Sequence, residues 1–205
     1  RLAEAWGTHA LFIDFDPRWV KQLVSDGDDP DPYVAHLVAQ TIALLQTQRP
    51  TALFTTSRLL AELLLAIKGP IADFGVAAVC TGGTSCSAEE RRLIRHQLSG
   101  VQWIDTYGNT LMGNALQVDH ADGHCSYHVP PPFAWVDVVD PSDWTRRFAY
   151  GERGQVLVHT LLEDLLLPNL LERDAATLTP PNTWFPWDGV RDVGPLQSTG
   201  FDAIE

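Results

Sequence analysis

Two short segments combine glycine with hydrogen-bonding side chains in a way that suits a flat, phosphorylated ligand. The first is Cys80-Thr81-Gly82-Gly83-Thr84-Ser85. Glycines let a backbone approach a ligand closely, and a helix starting behind the segment offers free amides to an anion. The second is Asp105-Thr106-Tyr107-Gly108-Asn109-Thr110. A tyrosine ring presents a flat face to a purine, and Asn109 and Thr110 can reach polar edges or a phosphate. Read singly, the first is equally a plain strand-to-helix turn. The second is equally a tight turn whose tyrosine fills a sheet edge. A third segment, Leu170-Leu171-Glu172-Arg173-Asp174-Ala175, carries an aspartate after an apolar run. Asp174 either caps the next segment or accepts from a pair of ribose hydroxyls.

Other chemistry has thinner support. His120, His124, Cys125 and His128 fall within nine residues, together with Asp122, and Asp119 stands just before them. Imidazole and thiolate at such spacing can bind zinc, though a cluster without a Cys-x-x-Cys is equally a polar hairpin. No Gly-x-Ser-x-Gly is present. Only Cys125 has histidines beside it in sequence, so nucleophilic catalysis is not indicated.

The elements that must position these residues alternate in the first half. Strands are expected at His9–Phe15, Thr51–Thr56, Gly75–Cys80 and Val101–Asp105. Helices are expected from Asp16-Pro17 to about Gly27, from Pro32 to Gln48, behind Ser57 as cap, and from Ala88 to about Leu98. The last is opened by the capping box Ser87-Ala88-Glu89-Glu90. Strand and helix at this spacing predict right-handed crossovers and a parallel sheet covered on both faces. The segments at 81–85 and 105–110 then leave neighbouring strands as loops at one rim, where open α/β sheets hold ligands. Past residue 120, short alternating runs at Ser126–Val129, Ala134–Val139 and Gln155–Leu161 predict antiparallel sheet. The expected fold class is α/β: a parallel sheet with flanking helices in βαβ units, then a smaller antiparallel part. The division is 1–120 and 121–205, with the tail from Pro180 as loop.

Composition narrows the partners. The 205 residues carry 26 acidic and 14 Lys or Arg side chains, a net charge of −12. That balance excludes the electrostatic footprint of a duplex nucleic-acid or anionic-membrane binder. Three cysteines without framework spacing fit a reducing, cytoplasmic setting. The apolar stretches near Leu59–Ile67 and Leu161–Leu171 are interrupted by polar residues, so no membrane partner is expected. Beginning at Arg1 and ending at Glu205, the chain reads as a piece of a longer protein.

Five segments in order carry a resemblance: Phe12-Ile13-Asp14-Phe15-Asp16-Pro17-Arg18-Trp19-Val20; Gly82-Gly83-Thr84-Ser85; Tyr107-Gly108-Asn109-Thr110; Gly151-Glu152-Arg153-Gly154-Gln155-Val156; and Leu167-Pro168-Asn169-Leu170-Leu171-Glu172-Arg173-Asp174. Together they resemble the adenylate-forming superfamily of acyl-CoA ligases, peptide-synthetase adenylation domains and luciferases. The likeness is closer to its phenylacetate-CoA-ligase-like branch, especially acyl-activating proteins associated with phenazine antibiotic biosynthesis. It covers most of the chain.

The resemblance implies that Gly82, Gly83, Thr84, Asp105, Tyr107, Gly108, Asn109 and Thr110 flank the adenine and phosphate of ATP or an acyl-adenylate. It implies Thr110 as the catalytic candidate, Asp174 on the ribose hydroxyls, and a structural Gly-Glu-Arg-Gly turn. The implied reaction is attack of a carboxylate on the α-phosphate of ATP, giving acyl-AMP and pyrophosphate. The acyl group then passes to an acceptor such as CoA or a carrier-protein thiol. Three departures stand against turnover by this chain alone. Leu111 replaces the glutamate that helps hold Mg²⁺, so that ion would be held mainly from outside the chain. The upstream phosphate loop is missing. So is the lid lysine, because Lys21 and Lys68 do not match it. The ribose segment is also shorter than the usual Arg-Thr-Gly-Asp form. The chain alone is therefore expected to bind nucleotide weakly. The reading from another class is a non-catalytic nucleotide-binding or scaffold module derived from that fold.

Overall fold

The computed structural model describes residues 7, 9–13, 16–120 and 124–196. Helix α1 (Pro17–Asp26) opens under the Asp16 side chain, which accepts the Arg18 amide, and closes at Gly27 in the left-handed region. Helix α2 (Asp31–Gln48) comes next. Strand β1 (Ala52–Thr55) leads into α3 (Ser57–Ala66), capped by the Thr56 hydroxyl rather than by Ser57, which is the first helical residue and buried. A short 3₁₀ turn (Ile71–Phe74) precedes β2 (Ala78–Thr81). Helix α4 (Ala88–Gln97) begins with the full Ser87–Glu90 capping box. It delivers the chain to β3 (Gln102–Asn109).

β1, β2 and β3 pair in parallel, Ala52 with Ala78 with Gln102 and onward. Leu53, Val79, Val101 and Trp103 meet Val38, Leu45, Leu60, Leu63, Ile94 and Leu98 of α2, α3 and α4 in one core. Among the described residues the opposite face is left exposed. Phe54 is 61% exposed and Ile104 43%, and they flank Cys80 in register. Among the described residues the expected two-sided cover does not form, for a topological reason. Right-handed crossovers between strands in the simple order β1-β2-β3 put every connecting helix on the same side.

The rest of the sheet is antiparallel. It comprises β4 (Gly113–Asp119), β5 (Cys125–His128), β6 (Ala134–Asp140), β7 (Asp143–Arg147), β8 (Arg153–Leu162), β9 (Leu165–Thr179) and β10 (Gly189–Pro195). With the parallel strands they form one ten-stranded sheet in the order β1-β2-β3-β4-β5-β10-β9-β8-β6-β7. Its core joins Met112, Ala115, Tyr127, Val136, Val138, Val156, Val158, Ala176, Leu178 and Val190. β9 is irregular twice. Val158 and Thr160 of β8 face Leu170 and Leu167, so one extra residue is looped out near Pro168 and Asn169. Gln155 and Leu157 face Ala175 and Leu171, so two extra residues bulge around Glu172–Asp174.

Three further expectations change. Residues 9–13 of the expected first strand are irregular, and Phe12 is 89% exposed. Among the described residues no ladder partner takes their backbone groups; Asp14 and Phe15 lie outside those described. The tail contains β10, which pairs with β5 and β9. Residues 106–109 are strand, not loop, because β3 runs on to pair with β4. Among the described residues no helix is long and apolar enough to cross a membrane.

Candidate functional site

Since β2 and β3 are parallel neighbours, with Thr81 opposite Asp105, β2 ends beside Asp105 while β3 runs on to Asn109. Gly82 leaves β2 there, tight against β3: a Cβ at position 82 would lie 2.6 Å from Thr106 Oγ1. The Thr106 hydroxyl donates to the Thr81 carbonyl (2.9 Å) and ties the two strands at this point. Gly83 takes φ +80° with open space beside it, and Thr84 is exposed. The start of the glycine turn, Gly82, is thus adjacent to Thr106, with Tyr107 next along β3.

The β3–β4 hairpin shapes the second segment. At Gly108 the partner strand comes so close that a Cβ would lie 1.9 Å from the Gly113 carbonyl oxygen. Asn109 folds its Oδ1 over the turn to accept the Leu111 (2.8 Å) and Met112 (3.0 Å) amides. Its Nδ2 donates to Glu172 Oε1 (2.6 Å). Thr110 is exposed in the turn. Leu111 comes after it, its carbonyl taken by the Thr160 hydroxyl (2.7 Å).

The bulge in β9 brings the third segment to the same place. Gln155 Nε2 donates to the Glu172 carbonyl (2.7 Å), and the Leu196 amide donates to the Arg173 carbonyl (2.8 Å). With the bulge so fixed, the Tyr107 hydroxyl donates to Asp174 Oδ2 (3.1 Å) across 67 residues of sequence. Tyr107 is half-buried against the antiparallel core, its ring 5.9 Å from that of Tyr127. Burial, then the Asp174 charge, push its phenol above the ordinary tyrosine value. It therefore stays protonated and a donor.

Asp105 lies on the same face of β3 as Tyr107 but is sealed beneath the rim. It is 2% exposed and takes hydrogen bonds from Thr81 Oγ1 (2.5 Å), Arg91 Nη2 (2.7 Å) and the Tyr127 hydroxyl (2.6 Å). Arg91 Nη2 also donates to the Tyr127 oxygen (3.0 Å), and its guanidinium lies over the Trp103 ring. Gln117 Oε1 accepts the Asp105 amide (2.6 Å). These contacts clamp α4 and β2 to β3, β4 and β5. A carboxylate with its oxygens engaged inside the protein is placed for structure rather than for a ligand. The geometry adds Glu172 to the rim, and Arg91 and Tyr127 beneath it. Glu172 stands two residues before Asp174, in the same sequence segment. Arg91 carries no separate signal on a charged helix.

The histidines form a hydrogen-bond chain. A carbonyl only accepts, so His128 Nδ1 donates to Trp187 O (3.1 Å). Its Nε2 then accepts from Asn182 Nδ2 (3.0 Å) and Ser126 Oγ (2.9 Å), and Ser126 meets His120 Nε2 (2.9 Å). His124 instead meets Asp192 Oδ1 (3.1 Å). Among the described residues no three His, Cys, Asp or Glu side chains are grouped to hold a metal. The zinc alternative finds no ligand set among them. Nor do the rim residues supply the several oxygen ligands that Mg²⁺, a hard cation, needs: Leu111 is apolar, and no group of three acidic or imidazole side chains stands there among the described residues.

His128 is fully buried, and burial pulls its pKa below the ordinary 6.5. As pH falls through that value, the unfolded chain binds the proton first. The stability contributed by neutral His128 is therefore complete above about pH 6.5 and is lost progressively below it. Urea midpoints are expected to drop between pH 7.5 and pH 5, and to drop less in His128→Gln.

Two shallow hollows lie elsewhere. One of about 290 Å³ is lined by Asp137, Arg147, Tyr150 and Asp188. The other, about 260 Å³, is lined by Val118, Asp119, Trp184 and Phe185.

No protein-family model matches the chain, and no curated protein matches its sequence. Solved structures do match in fold. A 2-hydroxyisobutyryl-CoA ligase in complex with 2-HIB-AMP and CoA aligns at TM-score 0.58 and 16% identity, over 78% of this chain and 36% of its own. A benzoate CoA ligase from Burkholderia xenovorans LB400 aligns at 0.55 and 16%, over 75% and 33%. The luciferase-like enzyme of the nonluminescent mealworm Zophobas morio aligns at 0.53 and 17%, over 77% and 40%. The chain spans between a third and two fifths of the length of these proteins. Over that span it has the mixed α/β fold that these acyl-CoA ligases and the luciferase-like enzyme share.

Proposed function

We propose that this chain is the adenylate-binding part of an ATP-dependent, carboxylate-activating ligase. Tyr107 presents its ring to adenine, Asp174 accepts from the ribose hydroxyls, and the Gly82–Thr84 turn lies toward the phosphate. Asn109 and Thr110 complete the rim. The observation that carries the reading is the Tyr107–Asp174 hydrogen bond of 3.1 Å, beside a glycine turn on the adjacent parallel strand. The α/β part, residues 1–120, supplies the turn and the tyrosine. The strand-rich part, 121–205, supplies the aspartate. The partners are ATP and a carboxylic acid, with CoA or a carrier-protein thiol as acceptor. The order of the motifs favours the phenylacetate-CoA-ligase-like branch.

Adenylyl transfer asks a protein for positioning and charge stabilisation rather than covalent help. The rim offers positioning. Calorimetry with AMP is expected to show weak binding that Tyr107→Ala weakens about tenfold, because stacking an aromatic on a base is worth about 1–3 kcal/mol. Unchanged affinity removes Tyr107 from the site.

Leu111 favours a second reading, a nucleotide-binding or scaffold module without turnover. Pyrophosphate exchange against a panel of carboxylic acids separates the two. Exchange with any acid supports the ligase; AMP binding with no exchange supports the module.

A further inference from the structure

We infer that His128 is a proton-operated latch: neutral, it holds the turn at residues 182–187 against β5, and protonated, it lets the Asn182 end go. Every group in the contact except the imidazole has a fixed polarity. Asn182 Oδ1 accepts the Trp184 (2.8 Å) and Phe185 (3.0 Å) amides, so the side-chain amide cannot turn over without abandoning both. Its Nδ2 therefore points a donor at His128 Nε2 (3.0 Å). At the other end of the turn His128 Nδ1 donates to the Trp187 carbonyl (3.1 Å). One neutral tautomer satisfies both contacts. The ring has no room to seek another pairing. It is fully buried, it stacks on Phe185, and a Cβ at Gly189 would lie 2.5 Å from its Cε1.

A second proton must go to Nε2, where it faces the Asn182 amino group. Ser126 Oγ (2.9 Å) can accept it and turn its own proton to His120 Nε2 (2.9 Å), but Asn182 is left donor against donor. Burial holds that proton off until below pH 6.5. Among charged neighbours, His120 opposes it and Asp188, at the end of the turn, favours it. From β10, Arg191 stands opposite Ser126 and is paired with Asp192, and β4 sets apolar Leu116 opposite His128. Asn182 carries Trp184 and Phe185 with it. These two form one wall of the hollow against Gln117, Val118 and Asp119, so acid reshapes that hollow.

Two-dimensional NMR of the whole chain, titrated from about pH 8 to about pH 5, tests this. The Asn182 side-chain amide and the Trp184 backbone amide are expected to shift with the midpoint of the His128 ring, while Val156 and Val158 in the interior hold still. A ring that titrates while Asn182 and Trp184 stay overturns the latch. So does a ring that remains neutral to the end of the titration. A change shared with Val156 and Val158 overturns it too, since acid is then unfolding the whole chain. Asn182→Asp sets a carboxylate oxygen where the donor stood, an acceptor for the protonated ring. The turn is then expected to stay closed in acid, with the His128 midpoint raised by about one pH unit or more. If this variant opens in acid as wild type does, Asn182 is not the part released and the latch falls.

Discussion

Asp105→Ala is expected to lower unfolding free energy by about 3–5 kcal/mol, the range for removing one partner of a buried ion pair. The loss comes from the groups left behind. Arg91 is 4% exposed, and its guanidinium would remain in the interior with its carboxylate gone. Thr81 and Tyr127 would each lose the acceptor they now donate to, at 2.5 and 2.6 Å. Urea denaturation reads the effect directly. The double variant Asp105→Ala with Arg91→Met is expected to recover a large part of the loss, because it removes the stranded charge rather than adding damage. Additive losses in the pair would show that the two side chains stabilise the fold independently. The same cycle separates this structural role from ligand binding. If Asp105 contacted a nucleotide, the rescued double variant would still lose AMP affinity. A clamp beneath the rim predicts that affinity returns with stability.

Gly108→Ala has the second large effect. Its Cβ would fall 1.9 Å from a backbone oxygen, so no side-chain rotation relieves the overlap. The β3–β4 hairpin must part, at an expected cost of about 3 kcal/mol, at the upper end for an overpacked interior. Parting the hairpin also moves Tyr107 and Asn109, so AMP binding should fall with stability. Gly83→Ala is the matched control. It sits at φ +80° in open space, and should cost only the backbone strain of about 1–2 kcal/mol while leaving the hairpin intact. Equal destabilisation by the two would mean that the close strand approach at Gly108 is not what holds this edge.

Local chemistry makes part of the architecture legible. Asp16-Pro17 and Ser87-x-x-Glu90 each satisfy backbone amides within one turn of themselves, so sequence neighbours alone define those helix starts. β4 and β9 follow their partners through tight hairpins that carry no strong turn signal, and β10 is opaque because its partner β5 is distant. β9 contains Pro168 and left-handed Asn169, residues that argue against a strand except at a bulge. The adjacency of Gly82 and Thr106 comes directly from parallel order. Asp174's proximity does not, since it depends on how many residues the ladder excludes. The sealing of Asp105 is hidden too, because its partners Thr81, Arg91 and Tyr127 come from three other elements.

The irregularities of β9 bear on how its length can drift over time. Alternation along a strand has a parity, and the two residues looped out around Glu172–Asp174 leave it intact. Leu171 and Ala175 still point the same way. Insertions or deletions in pairs there would carry the acidic tip toward or away from its neighbours without disturbing Ala176 and Leu178 in the interior. A single-residue indel at the same spot would turn that inner half of the strand inside out unless absorbed as a bulge, as the extra residue near Pro168 is.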